Sequence, residues 1–319
     1  MDTPAPPTLA GSPPELQVRF TRGARRLLRW STIGLAIRFA ILVAFALFFI
    51  VPIIWLLLAP TKSDNALIFS SPLAFGDFHH VWVALGHLGA WSNDLFRVWM
   101  GNSLLYAFGG TCIVLATAIP AGYGLALSRF PGRRLVLSMT LVVMIMPSAA
   151  LVIPIFLEMN ALHLIGNVLS IMLPFGFFPF GVYLAYIYFS TAVPRELLDA
   201  SRVDGCNELQ TFWHVALPLS VPIVALVFFF SFVANWNNYF LPEVVASSST
   251  QDPVQVGLGL LLAVTPSFNP APGGGAAQLP IHRPELALAI IIAVLPVLLV
   301  FLFSQRFLVR GLVQGATKE

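Results

Sequence analysis

The sequence has 319 residues, of which 58% are hydrophobic and only 10% are charged. Its mean hydropathy is +0.85. This composition excludes a pair of soluble globular domains and indicates an integral membrane protein. The formal net charge of +3 identifies no partner, because the positions of the charges matter more than their sum. The two cysteines, Cys112 and Cys206, provide no disulfide framework.

Residues 1–33 are predicted to be a cytoplasmic, disordered and basic segment. It opens with MDTPAPPTLAGSPPE, which offers little apolar surface to bury, and arginines follow at positions 19, 22, 25, 26 and 29. The next apolar run, residues 39–58, is about as long as a membrane span, and no small-residue cleavage site follows it. We interpret this run as an uncleaved first helix rather than as a signal peptide.

Five further apolar runs are long enough to span a bilayer, at about 20 residues per helix. They are residues 100–127, 135–157, 168–190, 219–242 and 285–305. The apolar stretch 256–264 is too short to span and is predicted to be a surface or re-entrant element. The predicted fold is therefore an all-α integral membrane protein, with about six transmembrane helices within residues 34–305 and a cytoplasmic helix–turn–helix.

The basic residues predict the orientation of these six spans. With the N-terminus inside, fourteen of the seventeen Lys and Arg residues fall in inside segments, and only Lys62, Arg97 and Arg283 fall outside. Because basic residues accumulate on the cytoplasmic side, this bias places both termini and the loop 191–218 in the cytoplasm. The same topology places the loop 247–283 outside and makes residues 306–319 a cytoplasmic tail.

The polar stretch 194–222 interrupts the apolar runs, and its first half is predicted to be a short helix. Pro194 suits a first helical turn, where its missing N–H costs nothing. The i,i+4 spacing of Arg195 and Asp199 and the i,i+3 spacing of Asp199 and Arg202 allow both pairs to meet on one face. Asp204-Gly205 then ends the helix, since glycine accepts the positive φ of a tight turn.

A second short helix is predicted after this turn. Asn207 and Gln210 have the spacing of a capping box, and Pro218 and Pro222 end the helix near the next apolar run. The stretch is thus predicted to be a helix–turn–helix at the membrane surface. An ordinary solvated loop between two membrane helices remains the alternative on these grounds alone.

The residues of this stretch resemble the cytoplasmic EAA loop of ABC-importer permeases. The resemblance is carried by Asp199-Ala200-Ser201, Asp204-Gly205, Phe212, Leu217-Pro218-Leu219 and Pro222. In that family the loop forms a coupling helix that docks into a cleft on an ATPase subunit. The resemblance implies an ATPase-coupling role for Glu196, Asp199, Ala200, Ser201, Arg202, Asp204, Gly205, Phe212 and Pro218. Three positions depart from the family: Asp199 replaces Glu, Ser201 replaces the second Ala, and Cys206 stands where Ala is common.

Further motifs are similar to those of the smaller permease subunit of maltose-type transporters, in the carbohydrate-uptake branch. They are Asn102-Ser103-Leu104, the run from Arg129 to Arg133, Met146-Pro147 with Ile153-Pro154, Trp236-Asn237, and residues 306–315. This resemblance implies a permease subunit of a binding-protein-dependent sugar importer in a prokaryotic cell membrane, importing a di- or oligosaccharide. The implied partners are a second permease in a heterodimer, two ATPase subunits and an extracytoplasmic solute-binding protein, with no nucleic acid. A polyol or a glycerol phosphate as solute, and a membrane sensor or scaffold without transport, remain alternatives.

The sequence lacks the motifs of an enzyme. It contains no G-x-x-x-x-G-K-[ST] loop, so we expect no cofactor in this chain, with ATP and Mg²⁺ bound by partner subunits. It contains neither H-E-x-x-H nor G-x-S-x-G, and none of its six histidines lies in a predicted span, which argues against an intramembrane protease. The adjacent His79 and His80 indicate a solvated loop rather than a metal site.

Two further segments are candidates for solute or protein contact. Asn235, Asn237 and Asn238 lie beside Trp236 and Tyr239, and amides with aromatic rings suit a path for sugars. The same asparagines could instead hold helices together.

The segment TPSFNPAPGGGAAQLP (265–280) has four prolines and three consecutive glycines, which predict a mobile loop. The resemblance implies that this loop contacts the binding protein, through Phe268, Asn269, Gly273, Gly274 and Gly275; a plain linker is the alternative. In the tail, Gly311 and Gly315 are predicted to prevent a firm helix, and the resemblance implies that the tail reaches the interface between the ATPases.

Overall fold

Helices and turns, without a strand, make up the residues that this computed structural model describes, which are 22–266, 268 and 281–316. Side chains are described for residues 34–266, 268 and 281–307. The chain forms two compact units, residues 1–54 and 55–319. The predicted all-α membrane fold is confirmed.

Helix α1 (Arg22–Leu58) begins well before the predicted apolar run 39–58. The backbone of residues 22–33 is helical, although the sequence assigns these residues to a disordered segment. Arginine and leucine dominate this stretch and both have high helix propensity, so a basic composition does not prevent a helix. Residues 1–21 lie outside the described residues.

Four helical stretches are long and apolar enough to cross a membrane, among the residues the structure describes. They are Gly34–Thr61, which includes most of α1, α4 (Leu95–Leu127), the stretch Val168–Thr191, and Arg283–Phe307 of α15. Two further candidates are bent pairs: Arg133–Ile145 with Ser148–Ala161, bent by 106°, and Glu208–Leu219 with Val221–Trp236, bent by 79°. If each pair is one span, the six predicted spans are present, but these two are sharply bent.

Prolines account for both bends. Helix α5 (Arg133–Ile145) ends where Met146 adopts an extended conformation before Pro147, and a 3-10 turn then leads into α6 (Val152–Ala161). A residue that precedes proline is disfavoured in the α conformation, so the predicted span 135–157 is sharply bent at this point. At the other bend, Pro222 occupies the first turn of α12 (Val221–Trp236).

Helix α4 is the centre of the second unit. It packs against α7 (Val168–Phe175), α8 (Pro179–Thr191) and α12. Gly122 allows the close approach of α8, since any Cβ at this position would overlap with Ala185. Small residues of this kind are what let membrane helices approach closely.

The N-terminal part of α4 is hydrogen-bonded to the segment that connects α13 (Phe240–Val245) to α14 (Val254–Val264). Trp99 Nε1 donates to Ser249 O at 2.7 Å, and Asn102 Nδ2 donates to Thr250 O at 2.8 Å. Tyr106 Oη donates to Gln251 O at 2.8 Å. Helix α14 has only 11 residues, so the prediction that this apolar stretch does not span is confirmed.

Two long-range polar contacts join the start of α15 (Arg283–Ala316) to earlier elements. The buried Glu285 lies 2.8 Å from His87 Nδ1 on α3 (Phe78–Ala90), and Arg283 lies 3.6 Å from Asp64 on α2 (Asp64–Phe69). These contacts fix where the last helix begins.

Helix α15 continues to Ala316, although Gly311 and Gly315 predicted that the tail would not remain helical. Each glycine costs a helix only about 1 kcal/mol relative to alanine. Extending an existing helix also avoids the unfavourable nucleation step, so two glycines near its end do not stop it.

Candidate coupling surface and solute cavity

The polar stretch forms the predicted helix and turn. We call residues 194–220 the coupling element, after the role that the resemblance implies. Helix α9 (Arg195–Val203) ends at Asp204, and Gly205 follows with φ +88°. Gly205 N donates to Arg202 O at 3.1 Å, and Cys206 N donates to Ser201 O at 3.0 Å. These two bonds form a Schellman motif, in which the residue after the C-cap must adopt the left-handed conformation.

The second half of the coupling element begins with the predicted capping box. Asn207 Oδ1 accepts from Gln210 N at 2.8 Å, and Gln210 Oε1 accepts from Asn207 N at 2.9 Å. Helix α10 (Glu208–Thr211) follows, then a π-helical turn (Phe212–Ala216) and α11 (Leu217–Leu219), so the helical path continues past Pro218. A π-helical turn inside a helix is rare and is frequent at functional sites.

Arg202 joins the two halves of the coupling element. Its Nη1 lies 2.7 Å from Asp199 Oδ1, and its Nε donates to Glu208 Oε1 at 3.0 Å. The hydrogen bond to Glu208 is the largest of the contributions that raise the pKa of Arg202, so its side chain stays charged. Among the described residues, no ion pair within 4.0 Å links Arg195 to Asp199, because Arg202 takes that carboxylate.

A buried pair of hydroxyls also joins the two halves, since Ser201 Oγ lies 3.0 Å from Thr211 Oγ1. Of the predicted coupling residues, only Ser201 and Phe212 are buried. The exposed ones are Glu196, Asp199, Ala200, Arg202, Asp204, Gly205 and Pro218. The apolar side chains of Val203 and Leu209 are 88% and 66% exposed beside them. The exposed face therefore combines charge with unburied apolar surface.

A cavity of about 650 Å³, which we call the central cavity, lies where three broken helices meet. Its lining includes Met146, at the break between α5 and α6, and Phe177 and Phe178, at the break between α7 and α8. It also includes the segment Asn237–Tyr239, at the break between α12 and α13. Non-helical backbone at membrane depth is tolerated where it is buried in protein or lines a cavity.

The five predicted path residues divide into two groups. Asn237, Asn238 and Tyr239 line the central cavity. Trp236 is 1% exposed and its Nε1 donates to Ala293 O on α15 at 3.1 Å, while Asn235 Nδ2 donates to Ser231 O at 2.9 Å. These last two side chains lie in the helix packing and not on the cavity.

A smaller cavity of about 400 Å³, the acidic cavity, shares Tyr239 with the central cavity. Glu243 and Asp252 are in its lining. Burial, followed by the charge of Glu243, raises the pKa of Asp252 to about 6.

Of the predicted binding-protein contacts, Phe268 is 58% exposed, and Asn269, Gly273, Gly274 and Gly275 lie outside the described residues.

Residues 118–314 match the family of binding-protein-dependent transport system inner membrane components. This match covers more than half of the chain, including the coupling element and the central cavity. The chain belongs to this family. It is thus a multi-pass permease subunit of an ABC importer, of the carbohydrate-uptake branch, and not an enzyme. An ATPase and a solute-binding protein are the partners that such a permease requires.

Individual relatives agree with this assignment. The permease is 30% identical over 225 residues to the arabinooligosaccharide transport system permease AraQ of Bacillus subtilis, covering 70% of this chain and 75% of AraQ. It is 28% identical over 282 residues to the diacetylchitobiose uptake permease NgcG of Streptomyces coelicolor, covering 88% of each. It is 27% identical over 256 residues to the sn-glycerol-3-phosphate permease UgpE of Yersinia pestis, covering 79% of this chain and 86% of UgpE.

A solved structure supports the fold of the permease. It is a chain of a bacterial ABC transporter involved in the import of the acidic polysaccharide alginate, with a TM-score of 0.74 and 25% identity. The match covers 87% of this permease and 97% of that chain.

Sequence analysis missed several residues of these two sites. Glu208 lies six residues after Arg202, across a turn, and no helical spacing identifies such a pair. The breaks at Met146 and after Phe175 lie inside continuous apolar runs, where only the nearby Pro147, Pro174 and Pro179 gave a signal.

Proposed function

We propose that this permease forms one half of the translocation path for a di- or oligosaccharide and couples it to ATP hydrolysis by a partner ATPase. The observation that carries this proposal is the central cavity, where breaks in three separate helical stretches meet. Transporters build solute sites from discontinuous membrane helices, because unwound backbone then faces the cavity instead of lipid.

The lining of the central cavity favours a neutral sugar. It combines the amides of Asn237 and Asn238 with aromatic rings, among them Phe178 and Tyr239, and none of its described lining residues is charged. Amides can hydrogen-bond sugar hydroxyls while rings pack on the C–H faces. A phosphate or a uronate would find no cation in this lining. The relatives that import arabinooligosaccharides and diacetylchitobiose fit this chemistry better than the glycerol-phosphate relative.

The coupling element supplies the contact with the ATPase. Its exposed charges and apolar side chains project from a rigid helix–turn–helix, which suits docking into a cleft on a partner. In the proposed assembly this permease pairs with a second permease and two ATPase subunits, which bind ATP and Mg²⁺, and this chain holds no cofactor. The charge bias supports cytoplasmic termini in a prokaryotic cell membrane, and the loop that contains Phe268 would then meet the binding protein outside.

The test is transport by the complete importer, assembled with the second permease, ATPase and binding protein from the neighbouring reading frames. A thermal-shift screen of the binding protein first selects the solute from neutral di- and trisaccharides, glycerol 3-phosphate and uronate oligomers. Uptake into ATP-loaded proteoliposomes is then measured for the same panel. We expect uptake of a neutral saccharide that depends on ATP and on the binding protein. Uptake restricted to the anionic solutes, or no uptake of any solute, would contradict the proposal.

A further inference from the structure

Tyr123 lies where the coupling element meets the central helix α4. Its ring is 7% exposed, in the last two turns of that helix. The ring centroid lies 5.4 Å from that of Phe189 on α8 and 5.0 Å from that of Phe212, the first residue of the π-helical turn. This side chain of α4 thus contacts both α8 and the coupling element.

A line of polar contacts connects this ring to the exposed face of α9. Asp199 pairs with Arg202, and Arg202 pairs with Glu208. Glu208 Oε2 lies 3.5 Å from Tyr123 Oη. Asp199 and Glu208 are largely exposed, whereas Tyr123 is buried, so the contacts lead from solvent into the helix bundle.

The last contact is loose in this conformation. An O–H···O hydrogen bond is usually between 2.5 and 3.0 Å, so 3.5 Å is at the limit of an interaction. A shift of the coupling element by less than about 1 Å toward α4 would bring this contact into the usual range. The adjoining π-helical turn (Phe212–Ala216) is a place where such a shift can be absorbed, because this turn departs from regular α-helical winding.

We propose that Tyr123 is a positioning residue, whose hydroxyl tightens its contact with Glu208 when the ATPase moves the coupling element and so transmits that movement to α4. This inference rests on the proposed coupling function of residues 194–220. The alternative is that Tyr123 only fills space, in which case the ring matters and the hydroxyl does not.

The variant Tyr123→Phe separates these two roles, since it keeps the ring and removes the hydroxyl. The readout is the number of solute molecules imported per ATP hydrolysed by the complete importer in proteoliposomes. We expect this ratio to fall roughly three-fold, the effect of losing one modest hydrogen bond, while the yield of assembled complex is unchanged. The matched control is Tyr106→Phe, which removes a hydroxyl from the same helix at the far end, where it donates to Gln251 O.

A double variant tests whether Glu208 is the partner of the hydroxyl. If it is, Tyr123→Phe combined with Glu208→Ala, which removes the acceptor, lowers the ratio no further than Glu208→Ala alone. A wild-type ratio for Tyr123→Phe, an equal fall for Tyr106→Phe, or a multiplicative fall in the double variant would each overturn the inference. Failure of the coupling function itself is distinguishable, because Gly205→Val would then also transport normally.

Discussion

The coupling element and the central cavity are built from the chain in different ways. The coupling element is one continuous segment, and its defining bonds join residues three to ten positions apart. The central cavity is assembled from residues between Val143 and Phe180 and from residues between Ala234 and Leu241. A local pattern therefore encodes the first site, whereas tertiary packing creates the second. Substitutions in the two regions are therefore expected to impair the permease in different ways.

The largest expected effect is at the turn of the coupling element. Gly205→Val should lower uptake at least about ten-fold, because a β-branched residue at φ +88° carries about 1–3 kcal/mol of backbone strain. Apart from the residues next to it in the chain, no atom lies within 4 Å of a Cβ placed at Gly205, so the cause is the backbone conformation and not a clash with another segment. Uptake and membrane abundance are measured together.

Gly132→Val is the matched control for this substitution. Gly132 has φ +86° and equally open surroundings, but it precedes α5 and lies outside the coupling element. The control should carry the same strain and retain uptake in proportion to its abundance. Equal losses of uptake per inserted protein in both variants would contradict a specific role of Gly205 in coupling.

A smaller effect is expected in the central cavity. Asn238→Leu should lower uptake about three- to ten-fold, the effect of losing one hydrogen bond to the solute, without weakening ATPase binding. Asn235→Leu should instead lower the thermal stability of the permease, because Asn235 donates to Ser231 O and lies against Gly110. Uptake and unfolding temperature are measured for both variants, and identical behaviour of the two would contradict the division between cavity and packing.

The smallest expected effect is a change in stability with pH at the acidic cavity. The pKa of Asp252 is raised to about 6 from 3.8, so its ionised form destabilises the fold above pH 6. As the pH falls through 6 toward 4, the folded protein takes up this proton before the unfolded chain does, and stability rises. Asp252→Asn should therefore be more stable than the parent at pH 7.5.

The measurement is the unfolding temperature in detergent at several pH values. The advantage of Asp252→Asn over the parent should shrink as the pH is lowered from 7.5 to 4.5. A difference in unfolding temperature that does not change with pH would show that the ionisation of Asp252 is not linked to stability.

The coupling element is built from local bonds and the central cavity from distant segments, and this difference determines what the sequence can predict. Gly205 and the Asn207–Gln210 capping box follow from short spacings, because the bonds they make are local. The pairing of His87 with Glu285 joins residues 198 positions apart, and no local pattern predicts it. Hydropathy located the four spans and the two bent pairs that the structure describes, because apolar composition favours the entry of a segment into lipid. It missed the 106° bend at Met146, because the residues on both sides are equally apolar.

The central cavity depends on three such breaks at once, whereas the sequence identified only polar lining residues at Asn237–Tyr239 and placed them inside a span. Trp236 belongs to the same sequence cluster, yet its side chain points to α15, since consecutive helical residues lie about 100° apart around the axis. Residue composition can therefore suggest where a translocation path lies, but it does not distinguish the side chains that line the path from those that pack between helices.

Photo-crosslinking tests most directly the claim that the coupling element faces the ATPase. A benzoylphenylalanine is placed either at Val203, which is 88% exposed in the coupling element, or at Phe268, which is 58% exposed in the loop after α14. The complete importer is then irradiated with its loaded binding protein. The expected result is a crosslink from Val203 to the ATPase only, and from Phe268 to the binding protein only. A crosslink from Val203 to the binding protein, or an ATPase crosslink from Phe268, would contradict the account.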